Sequence, residues 1–367
     1  MDIYLVGGAV RDEILNRRIT DRDWVVVGSS INEMLKKGYI QVGKSFPVFL
    51  HPDTKEEYAL ARKEKKIAPG YGGFEFDTDM NVSLEQDLLR RDLTINAMAK
   101  DYDNNIIDPY DGQKDLQARV LRHVSTAFSE DPLRVLRVAR FYAQLAEHNF
   151  TIADTTKELL QTISSSGELE HLSSERLYQE FKLGLSAPRP DLFIKCLNDA
   201  GAIDRILSEI SSTKAYAYLQ VAAAEKCDFI EVFAILLSYL PEDELVKQWC
   251  NTLAVPKEIS TFAKLFRTNL INIKDVDFSK TNQILELLSH LDIWRRHNRF
   301  VILMHTYKVF YKNDDAVINK INHLLKVSKN LKNFKLDLTG IDSIAGRDIS
   351  SEVFKQRAGF IAKLLSE

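Results

Sequence analysis

The stretch LVGGAVRDEILNRRITDRDWVVVG, residues 5–28, decides the fold of the N-terminal part of the chain. An apolar run ends at paired glycines, Gly7 and Gly8, and a second apolar run follows an Asp-x-Asp pair, Asp21 and Asp23. Short apolar or β-branched runs bounded by glycine and aspartate are typical of β-strands. The stretch therefore predicts a strand, a glycine turn with a helix start, and a second strand that begins at the acidic pair.

The acidic pair predicts a metal site. Side chains two residues apart in a strand project from the same face, so Asp21 and Asp23 should converge while Arg22 points away. Two carboxylates form an all-oxygen site of the kind that Mg²⁺ prefers, with further positions left for water and phosphates. Glycines let backbone N–H groups approach phosphate oxygens closely, and Arg11 would clamp the phosphate charge. Solvated acids and an ordinary turn are the alternative for each feature alone.

The chain divides into a strand-containing front and a helical rear. Apolar runs at Ile3–Val6, Trp24–Val27, Phe46–Leu50 and Tyr58–Ala61 predict a small sheet. Helical periodicity dominates from about Asp131 onward, and Ser129 followed by acids and Pro132 predicts a helix start. We expect an α+β protein, with a small mixed sheet followed by an all-α region. The predicted domains are residues 1–128, 129–222 and 223–367.

Composition excludes several classes of protein. Among 367 residues, no apolar stretch approaches the roughly 20 residues that span a bilayer, which predicts a cytoplasmic protein without membrane contact. Cys196, Cys227 and Cys250 lack paired spacing and should be reduced, mostly buried thiols. The eight histidines show no metal-binding spacing, so the sequence gives no support for a histidine-based metal site. The net charge is −3, with an excess of basic residues after Glu225.

Two arginine-rich segments could recognise a nucleotide. In LLRRDLTINAMA, residues 88–99, Asp92 and Asn96 are four apart and would share a helix face. In EDPLRVLRVARF, residues 130–141, one acid and three arginines recur every three residues along one side of a helix. An ordinary charged helix entry and a solvated basic face are the alternatives.

The second of these segments could select a base without a template. A carboxylate accepts a hydrogen bond from the amino group of cytosine or adenine, while a neighbouring guanidinium donates to ring acceptors. Guanine and uracil present a carbonyl to the carboxylate and would be rejected. An acid and an arginine held side by side in this segment would suffice for this pairing.

The segment with Gly7, Gly8 and the acidic pair resembles polymerase β-like nucleotidyltransferases, specifically class II CCA-adding tRNA nucleotidyltransferases and bacterial poly(A) polymerases. RRDLTINA, EDPLR and the ERxxxE pattern of residues 175–180 also match this family, and the resemblance extends from Met1 to about Glu180. It looks most like CCA-adding enzymes of the proteobacterial type.

The resemblance implies roles for nine residues. Asp21 and Asp23 would bind Mg²⁺ and catalyse transfer, and the implied nucleotide-binding residues are Gly8, Arg11, Arg91, Asp131, Arg134, Arg137 and Arg140. Glu57 is the candidate for a third acid, with a surface glutamate as the alternative. The acid and base in SERLYQE, residues 174–180, suggest a structural clamp between helices without a catalytic part.

The resemblance also implies the reaction and its partners. The expected substrates are CTP, ATP and the 3′ end and acceptor arm of tRNA, and the expected state is a monomer. A glycine-rich segment at residues 65–79 favours complete CCA addition. An A-adding enzyme or poly(A) polymerase, and an inactive RNA-binding relative, are the alternatives.

The helical rear is expected to support tRNA. Its C-terminal part carries a series of lysines opposed locally only by Asp314 and Asp315, and these are Lys312, Lys320, Lys326, Lys329, Lys332 and Lys335. Solvated lysines are the alternative. Because no histidine is followed by aspartate, we expect no phosphohydrolase activity.

Overall fold

The computed structural model describes residues 1–42, 48–66, 74–77, 80–207, 213–332, 334–337 and 346–366. The chain forms two compact units. The first unit contains Met1–Ser211 with Thr252–Ala254, and the second contains Ser212–Asn251 with Val255–Glu367. The first unit continues through the predicted boundary at residue 128, so the division into three domains stays a prediction.

The first unit contains a mixed sheet with strand order β3-β4-β5-β2-β1-β8-β9 among the described residues. β2 and β5 are parallel, and the other pairs are antiparallel. Two further pairs of strands lie outside this sheet, β6 with β7 and β10 with β11. The strands are β1 Asp2–Val6, β2 Asp23–Val27, β3 Ile40–Val42, β4 Val48–Leu50, β5 Glu57–Leu60, β6 Lys63–Lys66, β7 Phe74–Asp77, β8 Ala99–Lys100, β9 Ile106–Ile107, β10 Val120–Leu121 and β11 Thr151–Ile152.

Helices make up most of the remaining described chain. In the first unit they are α1 Gly8–Ile14, α2 Ile31–Lys36, α3 Leu84–Leu89, α4 Gly112–Ala118, α5 Arg134–Gln144, α6 Asp154–Ser165, α7 Ser174–Leu185, α8 Pro190–Asp199 and α9 Ile203–Ile206. From residue 213 onward they are α10 Thr213–Ala224, α11 Phe229–Leu237, α12 Asp243–Thr252, α13 Lys257–Thr268, α14 Leu270–Asp275, α15 Thr281–His290, α16 His297–Phe310, α17 Asp315–Leu331 and α18 Gly346–Ser366. The predicted α+β class, with a small sheet followed by an all-α region, is confirmed.

Three of the four strand predictions match closely. β1 and β2 fall on the predicted runs, and β5 is displaced by one residue toward the N-terminus. In the run Phe46–Leu50, only Val48–Leu50 lies within the described residues, and it forms β4.

The sheet is covered on both faces because β2 alternates between two apolar clusters. Val25 packs with Val6 and Leu88 on one face, whereas Val26 packs with Met34 and Phe49 on the other. Successive side chains of a strand point to opposite faces, so a run of three valines suits a strand buried on both sides. Packing on both faces holds β2 in position, and therefore also Asp23, which is its first residue.

The predicted helix start at Ser129 is wrong. Thr126–Glu130 form a 3₁₀ turn in which the Ser129 hydroxyl donates to the carbonyl of Thr126. Helix α5 begins only at Arg134, and the Asp131 carboxylate accepts the backbone N–H of Leu133 at 3.1 Å. Asp131, and not Ser129, therefore supplies the side-chain acceptor just ahead of helix α5.

Helix α5 is fixed by tight packing within the first unit. It packs against α7 and α8, and these two helices approach each other closely at Gly184. A Cβ on Gly184 would lie 2.5 Å from the Phe193 ring, so only glycine allows this approach. Phe181 and Phe193 meet edge to face with centroids 5.3 Å apart. This packing fixes the position of helix α5.

The second unit has an aromatic core. Phe233, Phe262, Phe266 and Tyr307 are fully buried. The rings of Phe266 and Tyr307 stack with centroids 4.8 Å apart. Within the described ranges, no helix has the length and apolar character required to cross a membrane.

Candidate active site

The acidic pair lies where three neighbouring strands of the sheet meet. Asp23 is the first residue of β2, and Asp21 lies just before it. In the sheet register, Asp23 is opposite Val6 of β1 and opposite Glu57 of the parallel strand β5. Residues opposite each other on adjacent strands project from the same face. Glu57, the candidate third acid, therefore lies beside Asp23, and the glycine turn begins directly after Val6.

The electrostatics of the pair favour a bound cation. Asp21 and Asp23 are solvent-exposed, yet partial desolvation raises the pKa of Asp23. The charge of Asp21 raises this pKa further, while Arg91 and Arg137 oppose the shift. A like charge nearby disfavours ionisation, and a cation between the two carboxylates would remove that penalty. The oxygen donors suit a hard divalent metal ion.

The positive φ angle of the turn falls on Gly7. Its φ is +71°, and a Cβ there would lie 2.8 Å from Nη1 of Arg91. Gly8 is the first residue of α1, and a Cβ built there would lie 3.5 Å from Nη2 of Arg11. The turn therefore brings backbone atoms next to two guanidinium groups, which is possible only without a side chain at Gly7.

A buried polar network connects the glycine turn to helix α5. Arg11 donates to Oδ1 of Asn96 at 2.8 Å, and Asn96 donates to Oδ1 of Asp92 at 3.0 Å. Asp92 also accepts a hydrogen bond from Nε of Arg137 at 2.7 Å. Burial alone would raise the pKa of Asp92, but Arg137 and Asn96 outweigh it and hold this pKa well below the ordinary range. Asp92 is therefore ionised. Its carboxylate orients Arg137 directly and Arg11 through Asn96.

The predicted helix face for Asp92 and Asn96 is wrong, although the two side chains do meet. Helix α3 ends at Leu89, and only Thr94–Asn96 form a 3₁₀ turn. The carboxylate of Asp92 accepts the backbone N–H of Leu93 at 2.8 Å. Such local side-chain bonds compete with helix formation.

Three of the remaining predicted residues are held by ion pairs or backbone carbonyls. Arg134 is buried and donates to the carbonyls of Ala127 and Arg90. Oδ2 of Asp131 accepts a hydrogen bond from Arg176 at 2.8 Å. Arg140 donates from Nε to Glu180 at 2.6 Å. Helix α7 is thus tied to α5 and to the residues before it through both Arg176 and Glu180, which confirms the clamp predicted from SERLYQE.

A cavity of about 440 Å³ collects most of these side chains within the first unit. Seven of the nine predicted site residues line it, whereas Asp21 and Arg140 do not. Seven arginines and three aspartates contribute to the wall, which is strongly basic. The lining is Gly7, Gly8, Arg11, Asp23, Arg62, Arg90, Arg91, Asp92, Asn96, Asp131, Leu133, Arg134, Arg137, Phe141 and Arg176.

The cavity has the character of a polyanion site. The Nε atom of Arg91 is buried there without a hydrogen-bond partner among the described residues. A buried N–H of this kind is costly unless a ligand oxygen completes it. A larger cavity of about 900 Å³ includes Arg22 and Lys100, but these lie 3.5 Å from Glu56 and 2.6 Å from Glu13. The smaller cavity is therefore the one suited to a triphosphate beside a metal ion.

Sequence reasoning missed Arg62 and Phe141. Arg62 follows β5 by two residues, where nothing in the local pattern distinguishes it from a surface arginine. The Phe141 ring lies under the guanidinium groups of Arg11, Arg137 and Arg140, at 5.3, 5.6 and 4.2 Å. Its position four residues after Arg137 on one helix was the available signal.

Two family models and several known proteins are similar to this chain. Residues 3–122 match the poly A polymerase head domain, and residues 149–213 match a probable RNA and SrmB-binding site of polymerase A. A multifunctional CCA protein from Vibrio campbellii is 46% identical, covering 82% of each chain. A CCA-adding enzyme from Alteromonas mediterranea is 44% identical, covering 86% of this chain and 87% of its own.

Solved structures share the fold. A CCA-adding enzyme in its apo form II superposes with a TM-score of 0.76 at 21% identity, covering 98% of this chain and 88% of its own. The Bacillus stearothermophilus CCA-adding enzyme in complex with CTP has a TM-score of 0.67 at 25% identity, covering 89% of this chain and 78% of its own. The Asp-x-Asp strand, the glycine turn and the basic cavity thus occur in a chain that belongs to the CCA-adding enzyme family of tRNA nucleotidyltransferases.

Proposed function

We propose that this protein adds CCA to the 3′ end of tRNA without a nucleic-acid template, using CTP and ATP and releasing pyrophosphate. The observation that carries the proposal is the single cavity in which Asp23, the glycine turn and seven arginines meet. The 3′-hydroxyl of tRNA attacks the α-phosphate in line, and pyrophosphate leaves.

The proposed cofactor is Mg²⁺, held by Asp21 and Asp23, with Glu57 as a third oxygen donor beside Asp23. When bound, a divalent ion of this kind lowers the pKa of the attacking hydroxyl and neutralises charge on the triphosphate. The protein itself positions the carboxylates. Asp23 and Glu57 are fixed by the register of β2 and β5, so their carboxylates need little rearrangement to face the α-phosphate.

The triphosphate is proposed to bind between the glycine turn and two guanidinium groups. Gly7 and Gly8 leave room for phosphate oxygens against the backbone, and Arg91 offers its unpartnered Nε. Arg11 is oriented by Asn96 and Asp12, at 2.8 and 2.9 Å. Two arginines of α5 complete the proposed nucleotide-binding set. Arg137 is paired with Asp92, and Arg140, which does not line the cavity, is paired with Glu180.

Asp131 and Arg134 are proposed to select the base. Arg176 and the backbone N–H of Leu133 hold the Asp131 carboxylate in one orientation. An ionised carboxylate only accepts hydrogen bonds, so it would match the amino group of cytosine or adenine and repel the carbonyl of uracil or guanine. A fixed protein pair in this way takes the part that a template base has in other polymerases.

Asp131→Asn should relax base selection because an amide can also donate to a carbonyl. We expect the preference for CTP over UTP to fall by about 10-fold to 100-fold, the value of one good base-reading contact. Single-turnover incorporation of each nucleotide measures this ratio. Glu130→Gln, at the neighbouring acid, should leave it unchanged. An unaltered ratio in Asp131→Asn would remove this residue from base selection.

One assay distinguishes the proposed activity from its rivals. Purified protein, Mg²⁺ and tRNA lacking its last three nucleotides are supplied with CTP alone, ATP alone, or both. Two cytidines followed by one adenosine would support CCA addition. A long A tract would indicate a poly(A) polymerase. A parallel reaction supplies tRNA that already ends in CC, and extension of that tRNA alone, by one adenosine, would indicate an A-adding enzyme. An inactive RNA-binding protein would extend nothing.

The second unit is proposed to support tRNA through its phosphates. Lys312 pairs with Glu225 at 2.8 Å, and Lys320 donates to the carbonyl of Lys274, so these two have protein partners. Lys326, Lys329 and Lys332 on or beside α17 are the better candidates for phosphate contact. We further propose a monomer that acts in the cytoplasm through the three predicted domains. Because no histidine is directly followed by aspartate, we propose no phosphohydrolase activity.

The glycine-rich segment at residues 65–79 lies largely outside the described residues. Only parts of it, in β6 and β7, are described. Its predicted contribution to the change from CTP to ATP stays a prediction.

A further inference from the structure

Three side chains with different metal-binding atoms meet in the second unit, away in sequence from every residue of the proposed active site. The sulfur of Cys227, a carboxylate oxygen of Glu231 and a ring nitrogen of His305 all lie within 4.8 Å of one another. Cys227 is in the turn between α10 and α11, Glu231 is in the first turn of α11, and His305 is on α16. Cys227 and Glu231 are four residues apart, but His305 lies 74 residues after Glu231, so spacing along the sequence did not indicate this group.

The carboxylate at the centre of the group is rigidly placed. Glu231 is only 5% exposed, and its Oε2 accepts the backbone N–H of Asp228 at 3.0 Å. Its Oε1 accepts the Thr306 hydroxyl at 3.0 Å and lies 2.7 Å from Nδ1 of His305. The imidazole and the carboxylate therefore face each other directly. The side chain of His305 is 47% exposed, so it can move.

The surroundings of the thiol are acidic. Burial raises the pKa of Cys227 to about 12, and the charges of Glu231, Glu225 and Asp228 add to the shift. Lys312 balances one of these acids by pairing with Glu225 at 2.8 Å. Glu231 itself is hydrogen-bonded to His305, and a bound cation would interact favourably with the thiolate and with this carboxylate together.

We propose that Cys227, Glu231 and His305 form a site for a divalent transition-metal cation of the Zn²⁺ class. Thiolate, imidazole and carboxylate together are donors for Zn²⁺ or Co²⁺, whereas Mg²⁺ takes oxygen ligands. Three protein ligands leave a fourth position for water. On binding, the thiol proton passes to solvent and the sulfur lone pair forms the metal bond.

Metal binding requires small shifts of both Cys227 and His305. The sulfur of Cys227 lies within 4.8 Å of the other two ligand atoms, and in a tetrahedral site it would lie about 3.6 Å from each. Two ligand atoms at 2.0–2.1 Å from a tetrahedral metal are about 3.3 Å apart. Nδ1 of His305 and Oε1 of Glu231 are 2.7 Å apart, so the imidazole must withdraw by about half an ångström. Its partial exposure allows this movement without disturbing Glu231. If the proposal is wrong, His305 and Glu231 form only a hydrogen bond, and the group does not bind a metal ion.

Titration of the metal-free, full-length protein with Co²⁺ tests the site without reference to nucleotide transfer. We expect one equivalent to bind with a thiolate-to-cobalt charge-transfer band. Cys227→Ser should abolish that band, whereas the control Cys250→Ser, at a buried cysteine of the same unit, should keep it. Absence of stoichiometric binding to the wild-type protein, or persistence of the band in Cys227→Ser, would overturn the proposal.

Two further measurements separate ligation from simple loss of structure. His305→Gln should weaken Co²⁺ binding by at least about tenfold, while His323→Gln, at a histidine packed on Phe278, should not. X-ray absorption of the Zn²⁺-loaded wild-type protein needs no variant. It should show one sulfur at about 2.3 Å with nitrogen and oxygen ligands at about 2.0–2.1 Å. A shell without sulfur would contradict the assignment.

Discussion

Replacing Asp21 or Asp23 with alanine should lower the rate of nucleotide incorporation by at least about 10³-fold. Each variant removes a carboxylate from the pair that is proposed to hold the metal ion. A metal ion contributes several kcal/mol of charge stabilisation in the transition state, and each 1.36 kcal/mol is a factor of ten in rate. Single-turnover addition of CTP to tRNA lacking its last three nucleotides measures this effect.

The control for this prediction is Asp53→Ala. Asp53 is an exposed aspartate in the turn between β4 and β5, so its loss should leave the rate unchanged. Binding of tRNA, measured by filter retention, should be largely intact in all three variants because phosphate contacts elsewhere supply most of the affinity. Retained turnover in Asp21→Ala or Asp23→Ala would refute the metal assignment.

Glu180→Ala should destabilise the first unit by about 3–5 kcal/mol, the cost of leaving one partner of a buried ion pair alone. The side chains of Arg140 and Glu180 are 10% and 7% exposed, and Nε of Arg140 lies 2.6 Å from Oε2. Burial lowers the pKa of Arg140, and the charge of Glu180 opposes that shift. Arg137 lies 4.0 Å from the same carboxylate. Loss of the Glu180 carboxylate would therefore leave the cations of Arg137 and Arg140 next to each other.

Native-state hydrogen exchange of the α5 amides reports the free energy of opening of this part of the first unit. Glu175→Ala is the matched control, since Glu175 lies exposed on the same helix α7 and its loss should cost less than about 0.5 kcal/mol. Equal exchange in the two variants would show that the pair between Arg140 and Glu180 does not stabilise the unit.

The sequence predicted the features that depend on neighbours along the chain. The strand, glycine turn and second strand of residues 5–28 could be foreseen because each is set by local polarity and backbone freedom. The sequence also pointed to seven of the residues that line the cavity. The structure places the positive φ angle of the glycine turn at Gly7.

The partners of the arginines could not be foreseen. The partners are separated by 40 or 45 residues in Arg137 with Asp92, Arg176 with Asp131 and Arg140 with Glu180. Only tertiary packing brings them together. A periodic row of arginines indicates a helix face but not which members are neutralised. Arg140 is the clearest case, because it belongs to the same row as Arg134 and Arg137 yet lies outside the cavity wall.

Long-range pairing also explains two other outcomes. Glu57 was one of many acids in the sequence until the parallel register of β2 and β5 placed it opposite Asp23. Ser129 fitted the local pattern of a helix start, but its hydroxyl bonds to Thr126, and the carboxylate that accepts the N–H of Leu133 is that of Asp131. Asp131 is itself held by the remote Arg176.

The most direct test of the proposed site is a crystal structure of the wild-type protein with CTP and Mn²⁺, in which anomalous scattering locates the metal. We expect Mn²⁺ coordinated by the carboxylates of Asp21 and Asp23, with the triphosphate seated against Gly8 and the guanidinium groups of Arg11 and Arg91. A metal peak away from both carboxylates, or a triphosphate bound in another part of the chain, would contradict the proposed site.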